Sequence, residues 1–126
     1  MMISGIGVDL VEIDRLHKIL DRWGEKFVKK VFADEEIRYC RQHVLPAMHF
    51  AARFAAKEAC LKALGIGLGM GLGLKDIWVS RSDKGAPSLV FADKARMLIE
   101  NKEIKGAHLS LTHTRHHAMA MVILEK

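Results

Sequence analysis

Charged side chains stand in two segments of the sequence that are otherwise apolar. The first is Asp9, in the middle of the run ISGIGVDLVEI. The second segment, AARFAAKEACLKALG, carries Glu58 between Lys57 and Lys62. Aspartate is depleted in strands, and a buried charge is costly without a partner. A magnesium site uses one or two protein carboxylates, several waters and substrate phosphates, so Asp9 and Glu58 with two nearby lysines predict magnesium-assisted phosphate chemistry.

The same charges also have a purely structural interpretation. Glu58 and Lys62 are four residues apart with the acid first, which is the favourable order for an ion pair on a helix surface. Asp9 on an edge strand needs no ligand if its carboxylate accepts backbone hydrogen bonds. Both interpretations stay open here, because spacing alone does not show that the strand and the helix meet.

The pattern of apolar residues predicts the elements that position these charges. Alternation predicts a first strand over residues 3–13, and helical periodicity predicts a helix capped by Asp14 and broken at Gly24. The alanine-rich segment is the predicted central helix, which begins near Pro46 and ends at Gly65. Further predicted elements are a helical piece at 25–32, a helix capped by Asp34 that runs to Val44, a hairpin of 76–81 and 88–91, a helix at 92–102, and a hairpin of 107–114 and 118–125. We therefore expect an α+β fold, a single domain over residues 1–126 with a mostly antiparallel sheet and a long buried central helix.

The bulk composition narrows the class of protein and of partner. Half of the 126 residues are hydrophobic, the net charge is +5 and the pI is about 9.4, which excludes disorder and favours an anionic partner. Aromatic residues are only 6% of the chain, too few for base-stacking platforms, so nucleic acid is not the expected partner. The sequence shows neither a basic leader nor a run long enough to span a membrane. Two widely separated cysteines fit a reducing compartment, so we expect a cytoplasmic protein.

The glycine-rich run GIGLGMGLGL, which begins at Gly65, invites comparison with phosphate-binding loops. It follows a helix rather than a strand and lacks the lysine-serine pair of a nucleotide-binding loop, so a connector is the simpler interpretation. A looser role, in which its backbone amides approach a ligand closely, stays open.

Four histidines lie close together late in the sequence: His108, His113, His116 and His117. They belong to a predicted strand and turn and have no cysteine pair beside them, so a zinc site is poorly supported. Alternation places Ser110 on one face of the strand and His113 with Leu111 on the apolar face. His113 is therefore expected to be a core residue unless it lines a cleft.

Taken together, the segments GIGVDLVEI, FAAKEACLKALG, KGAP and HLSLTHT resemble the holo-acyl-carrier-protein synthases, a branch of the phosphopantetheinyl transferases. The resemblance spans nearly the whole chain in the same order. It implies transfer of 4′-phosphopantetheine from coenzyme A to a serine of an apo acyl carrier protein, with release of adenosine 3′,5′-bisphosphate. It also implies an α+β fold and a homotrimer that binds coenzyme A between its subunits.

The resemblance assigns roles to individual residues. It implies that Asp9 and Glu58 hold Mg²⁺, that Lys62 contacts the coenzyme A phosphates, and that His113 lies by the nucleotide phosphates. Glu58, Lys62 and His113 are therefore the predicted catalytic residues. The predicted coenzyme A contacts are Lys57, Lys62, Gly65, Ser110 and His113. The base that activates the serine stays open between Glu58, a water on the metal, and an acid within residues 34–36.

The sequence departs from the family pattern in its glycine loop. Ile66 and Met70 stand where the family often has a hydroxyl and a basic residue. The loop therefore lacks a hydroxyl and a cation of the family pattern, whereas the residues of the metal site follow that pattern.

A row of basic residues, Arg15, Lys18 and Arg22, follows one side of the first predicted helix. The opposite side carries the residues that we expect to be buried: Leu16, Ile19, Leu20 and Trp23. Because carrier proteins are acidic and the resembling family docks them on this helix, the basic row is the predicted docking surface. An ordinary solvated face is the alternative. The rival functions are a basic non-enzymatic module that binds an acidic protein or RNA, and a small metal-binding protein that uses the late histidines.

Overall fold

The computed structural model describes residues 2–67, 71–81 and 84–126. In chain order the elements are β1 (Ile3–Glu12), α1 (Ile13–Val31), α2 (Asp34–Arg41), α3 (Pro46–Leu64), β2 (Ile77–Arg81), β3 (Pro87–Phe91), α4 (Asp93–Asn101), β4 (Gly106–His113) and β5 (His117–Glu125). All strand pairs are antiparallel and form a three-stranded sheet, β1–β5–β4, and a separate hairpin, β2–β3. The predicted α+β class with a mostly antiparallel sheet is confirmed.

Helix α3 is the centre of the core, as its alanine-rich sequence predicts. It packs against β1 and β5 of the sheet and against α1 and α2. Its buried apolar residues are Phe50, Ala51, Ala52, Ala55, Ala56, Ala59, Cys60, Leu61, Ala63 and Leu64. Pro46 stands in the first turn, and Gly65 ends the helix in the left-handed conformation at φ 72°, so both predicted boundaries are confirmed.

Strand β1 lies directly on α3 because two glycines leave room for the helix backbone. A Cβ at Gly5 would overlap the carbonyl oxygen of Ala63, and one at Gly7 would overlap that of Ala59. Side chains of a strand alternate between its faces, so the next residue that points toward α3 is Asp9. The spacing G-x-G-x-D therefore carries a carboxylate to the surface of the helix.

The opposite face of the sheet presents apolar side chains to solvent. Ile6, Val8 and Leu10 of β1 are 59%, 47% and 62% exposed. In the sheet register, Val8 stands opposite Met121, which is 41% exposed. These residues form an exposed apolar surface on the single chain, which we call the outer sheet face.

Helix α1 differs from the prediction at Trp23. This side chain is 53% exposed rather than buried, whereas Leu16 is buried as expected. Gly24 adopts φ 53° and ψ −135° within α1, so the apolar periodicity does not continue smoothly across it. Trp23 precedes the kink and projects outward.

Two details at the helix ends were also predicted wrongly. Helix α2 ends at Arg41 instead of Val44. Neither Asp14 nor Asp34 occupies a cap position: Glu12 precedes α1 and Ala33 precedes α2, without a side-chain cap bond. The amino-terminal end of α2 is instead closed by Glu36, whose Oε1 accepts a hydrogen bond of 3.0 Å from the backbone N–H of Ala33.

Parts of two predicted segments lie outside the described residues. They are positions 68–70 of the glycine-rich loop, which include Met70, and positions 82–83 of the turn before β3. Within the described ranges, no helix is both long and apolar enough to cross a membrane.

Candidate active site

Lys62 joins the central helix to the first strand. Its Nζ donates to Asp9 Oδ1 and to the carbonyl oxygen of Val8, both at 3.0 Å. The Asp9 side chain is 17% exposed and the Lys62 side chain is 55% exposed. The strand and the helix therefore do meet, and Lys62 pairs with the carboxylate of β1 across the contact.

Glu58 lies one helical turn before Lys62 and is half-buried. Burial raises its pKa, the charge of Asp9 raises it further, and the charge of Lys62 opposes these effects. This coupling shows that the two carboxylates are close enough to repel each other. A divalent cation between them would relieve that repulsion, so both residues suit a metal site.

The donor set of this site fits magnesium in particular. Two carboxylates supply oxygen ligands, and Mg²⁺ takes its remaining ligands from water and phosphate. Over residues 2–67, 71–81 and 84–126, no three or more His, Cys, Asp or Glu side chains are grouped to hold a metal ion. The late histidines therefore form no such cluster in the part of the chain that the structure describes.

A pocket of about 330 Å³ opens beside the two carboxylates. Its wall carries the charged residues Asp9, Glu12, Arg15 and Glu58, and its apolar residues include Leu16, Ile19, Phe27 and Phe54. Arg15 was predicted as a carrier-docking residue. The structure places it at the same pocket, so the basic row on α1 begins at the candidate metal site.

Lys57 lies elsewhere, although it is the sequence neighbour of Glu58. Its side chain is fully buried, and its Nζ lies 2.6 Å from Glu36 Oε1. It also donates to the carbonyl oxygens of Leu74 and Ile77 at 3.1 and 2.5 Å. Burial lowers the pKa of Lys57 and the charge of Glu36 opposes that shift. All three N–H groups thus have acceptors inside the core, so the structure does not bring Lys57 to a phosphate at the Asp9–Glu58 pocket.

His113 is exposed rather than part of the core. It is the last residue of β4. It lines a separate apolar groove of about 640 Å³, formed by the start of α1, residues 44–48 and Arg115. His113 and Asp9 therefore line different pockets of one chain, which leaves the predicted role of His113 open.

Ser110 and Gly65 also lie away from the Asp9–Glu58 pocket. Ser110 is exposed on the outer sheet face, opposite Met121 in the register of β4 and β5. Gly65 is the exposed residue that ends α3. Of the predicted coenzyme A contacts, Lys62 is the one that the structure brings to the two carboxylates.

Sequence reasoning missed a cationic cluster around Tyr39. Arg53 is buried with its guanidinium 4.1 Å from the Tyr39 ring centroid, and Arg81 lies 5.6 Å from it. Arg53 Nε has no hydrogen-bond partner among the described residues. Burial and nearby cationic groups, including Arg53, lower the pKa of His49 to about 4. The signal in the sequence was an arginine inside an alanine-rich helix.

Comparisons with known proteins cover almost the whole chain. Residues 5–122 match the 4′-phosphopantetheinyl transferase superfamily. A holo-[acyl-carrier-protein] synthase of Syntrophus aciditrophicus is 52% identical over 124 residues, which cover 98% of this chain and 97% of that protein. A protein of the same name from Koribacter versatilis is 42% identical and covers 98% of this chain and 99% of its own length.

Solved structures show the same fold. The holo-[acyl-carrier-protein] synthase of Neisseria meningitidis superposes with a TM-score of 0.92 at 30% identity, covering 99% of this chain and 100% of that chain. The Helicobacter pylori protein, solved in complex with coenzyme A, gives a TM-score of 0.84 at 32% identity and covers 95% and 99% of the two chains. These identities and coverages extend the similarity beyond fold to family.

Proposed function

Because the chain belongs to the 4′-phosphopantetheinyl transferase superfamily, we propose that it transfers 4′-phosphopantetheine from coenzyme A to a serine of an apo acyl carrier protein. The observation that carries the proposal is that Asp9 and Glu58 line one pocket while Lys62 donates a hydrogen bond to Asp9. In this reaction the serine oxygen bonds to the β-phosphorus of coenzyme A. The bond from that phosphorus to the bridging oxygen breaks, and adenosine 3′,5′-bisphosphate leaves.

Asp9 and Glu58 are the proposed ligands of Mg²⁺. When bound, the metal neutralises charge on the pyrophosphate of coenzyme A. Lys62 adds a second positive charge on the same side. Two of its N–H groups are engaged with Asp9 and Val8, and its third is available among the described residues to donate to a phosphate oxygen of the leaving bisphosphate.

Glu58 is also the proposed acceptor of the serine proton. Its carboxylate lines the pocket where the serine must arrive, so it can accept the proton there. Glu36 does not suit this role, because its carboxylate is fully buried and engaged by Lys57 and by the backbone of Val79. The apolar wall of the pocket, including Phe27 and Phe54, suits the uncharged part of the pantetheine arm.

Transfer is tested directly by mass spectrometry of an intact apo acyl carrier protein. After incubation with the protein, coenzyme A and Mg²⁺, the carrier should gain the mass of one phosphopantetheine arm. A carrier whose acceptor serine is replaced by alanine should gain none, and EDTA should stop the reaction. Binding of the carrier or of RNA without any mass gain would instead support the non-enzymatic basic module.

We propose a homotrimer in which neighbouring copies complete the coenzyme A site. The outer sheet face leaves Ile6, Val8 and Leu10 exposed, which a monomer has no reason to do over a contiguous surface. Ser110 and His113 lie apart from the Asp9–Glu58 pocket of their own chain, as expected if they serve the pocket of another copy. Light scattering on the purified protein should give three times the chain mass. A monomeric mass at micromolar concentration would contradict this assembly.

The proposed docking surface for the carrier extends from Arg15 along α1. Lys18 and Arg22 are exposed, and the Arg22 guanidinium lies 5.3 Å from the Trp23 ring centroid. Beyond them, a groove of about 380 Å³ is formed by Ile19, Trp23, Lys26, Phe27 and Lys30. An exposed aromatic side chain among cations suits an acidic partner with an apolar face.

Charge reversal at Arg22 tests this surface without disturbing the pocket that Arg15 lines. We expect Arg22→Glu to raise the KM for the carrier about fivefold or more at low salt, while the KM for coenzyme A stays unchanged. Because salt screens such pairs, the variant should also respond less steeply to added salt than the wild type. Lys94→Glu, at an exposed position on α4, is the matched control and should leave both KM values unchanged. A wild-type carrier KM for Arg22→Glu would remove this face from the docking surface.

We propose the cytoplasm as the location of this activity. Cys40 and Cys60 are free thiols, and burial raises the pKa of each to about 12. Such thiols are inert core residues rather than halves of a disulfide, which fits a reducing compartment.

A further inference from the structure

A buried ion pair ties the central helix to two other elements. Glu36 on α2 and Lys57 on α3 are both fully buried and lie 2.6 Å apart. The backbone N–H groups of Ala33 and Val79 donate to the Glu36 carboxylate, each at 3.0 Å. Lys57 also donates to the carbonyl oxygens of Leu74 and Ile77, so both members of the pair are hydrogen-bonded to the backbone around them.

This pair is a poor candidate for a source of net stability. The cost of removing two charges from water roughly cancels their attraction, and replacing a buried pair by apolar side chains of similar size is often neutral or stabilising. Some such pairs instead select one arrangement among several, because an unpaired buried charge strongly disfavours every alternative.

Helix α3 needs a contact that selects one rotation about its axis. It is small and apolar on nearly every side, so apolar packing alone discriminates weakly between rotations about its axis. Successive side chains of a helix are about 100° apart. When Lys57 is fixed toward α2 and β2, Glu58 is directed around the helix toward β1 and Asp9.

We propose that Lys57, held by Glu36, is a positioning residue that fixes the rotation of α3 and so directs Glu58 toward Asp9. The inference rests on the proposed function, in which these two carboxylates hold Mg²⁺. Lys57 acts through the helix backbone and touches neither substrate nor metal. Its role is therefore distinct from the phosphate contact that the sequence predicts.

The test removes the pair while retaining the volume of its side chains. The double variant Glu36→Gln/Lys57→Met eliminates both charges together, and Lys57→Met alone leaves the Glu36 carboxylate without its cation. Mn²⁺ binding in the presence of coenzyme A, followed by electron paramagnetic resonance, reports the metal site independently of turnover. We expect the double variant to melt near the wild-type temperature but to bind Mn²⁺ about 10- to 100-fold more weakly, the usual effect of losing a residue that orients a metal ligand. The kcat should fall, whereas the KM for coenzyme A should change by no more than about twofold, because no phosphate contact is lost.

A second ion pair serves as the matched control. Glu25 and Arg41 form an exposed pair between α1 and α2, so Glu25→Gln/Arg41→Gln should leave Mn²⁺ affinity and kcat at wild-type values. A folded Glu36→Gln/Lys57→Met variant with wild-type Mn²⁺ affinity would overturn the inference. So would a raised KM for coenzyme A at constant kcat, which indicates a phosphate ligand, and so would failure of the double variant to fold, which indicates a stabilising role. If the wild type itself neither binds Mn²⁺ nor modifies the carrier, it is the proposed function that fails.

Discussion

Replacing Asp9 or Glu58 by alanine will abolish transfer to the carrier and leave the protein folded. Each side chain places a carboxylate at the same pocket, and the charge of Asp9 raises the pKa of Glu58 in the absence of a cation. Loss of either should reduce kcat/KM by roughly 10³-fold or more, because charge neutralisation by a metal supplies several kcal/mol to the transition state. The rate of mass gain on the carrier, measured at saturating Mg²⁺, is the readout.

Isosteric variants separate loss of charge from loss of shape. Asp9→Asn and Glu58→Gln keep the size of the side chains, but a neutral amide is a weak ligand for Mg²⁺, so both should be as inactive as the alanine variants. Glu100→Ala removes an exposed carboxylate on α4 and should remain fully active. Near-normal activity of either isosteric variant at saturating Mg²⁺ would contradict the metal assignment.

The same Glu58→Gln variant should also change how the stability of the protein depends on pH. Because the folded-state pKa of Glu58 is raised, the folded protein binds this proton more tightly than the unfolded chain does. The free energy of unfolding therefore falls as the pH rises through the raised pKa of Glu58. At neutral pH the ionised Glu58 side chain destabilises the folded protein. Without Mg²⁺, Glu58→Gln should melt at or slightly above the wild-type temperature at pH 7, and the difference should shrink in acid. A melting temperature clearly below wild type would show that Glu58 is structural.

The sequence was sufficient to predict the two carboxylates because both break a strong local pattern. Asp9 interrupts an apolar strand, and Glu58 interrupts an alanine-rich helix. The contact between these elements was not predictable from spacing, since it depends on which strand lies against α3. In the structure β1 is the strand that lies against α3, because Gly5 and Gly7 have no side chains to keep the helix backbone away.

Lys57 and Lys62 show which contacts the sequence pattern alone does not predict. Lys57 and Lys62 flank Glu58 and have the same chemistry, so the sequence offers both as phosphate ligands. Their side chains leave α3 in different directions, however, because five residues are more than one turn of a helix. Lys62 contacts Asp9 near the surface, whereas Lys57 contacts Glu36 in the core. The acid that pairs with Lys57 is 21 residues away in the sequence. The periodicity of residues within α3 therefore does not predict this pairing.

Trp23 was misplaced, and His113 follows the alternative in which it lines a cleft, because both residues stand where an element changes. Alternation and helical periodicity predict burial only while the element stays regular. Gly24 kinks α1 immediately after Trp23, and β4 ends at His113. Each side chain is consequently exposed, and each lines a groove rather than the core.

Gly7→Ala is expected to be the most disruptive substitution outside the pocket itself. The added Cβ would overlap the carbonyl oxygen of Ala59 and lie 2.9 Å from the backbone nitrogen of Ala63. Both obstacles are backbone atoms of α3, so no side-chain rotation relieves them and the strand must separate from the helix. We expect a loss of about 3 kcal/mol or more in the free energy of unfolding, beyond the usual range for overpacking by one methyl group. Thermal melting should show this as a decrease of roughly 10 °C.

Gly67→Ala is the control, because a Cβ there meets no atom of the described residues within 4 Å. Its melting temperature should stay close to wild type, so any large difference between the two variants reports the contact between β1 and α3 rather than a general property of glycine. Where Gly7→Ala remains folded, Asp9 must shift with the strand, and its separation from Glu58 should weaken Mn²⁺ binding as well as stability. If Gly7→Ala instead melts at the same temperature as Gly67→Ala and binds Mn²⁺ normally, the close approach of β1 to α3 is not required. Pairing of β1 with β5 alone is then what holds Asp9 at the pocket.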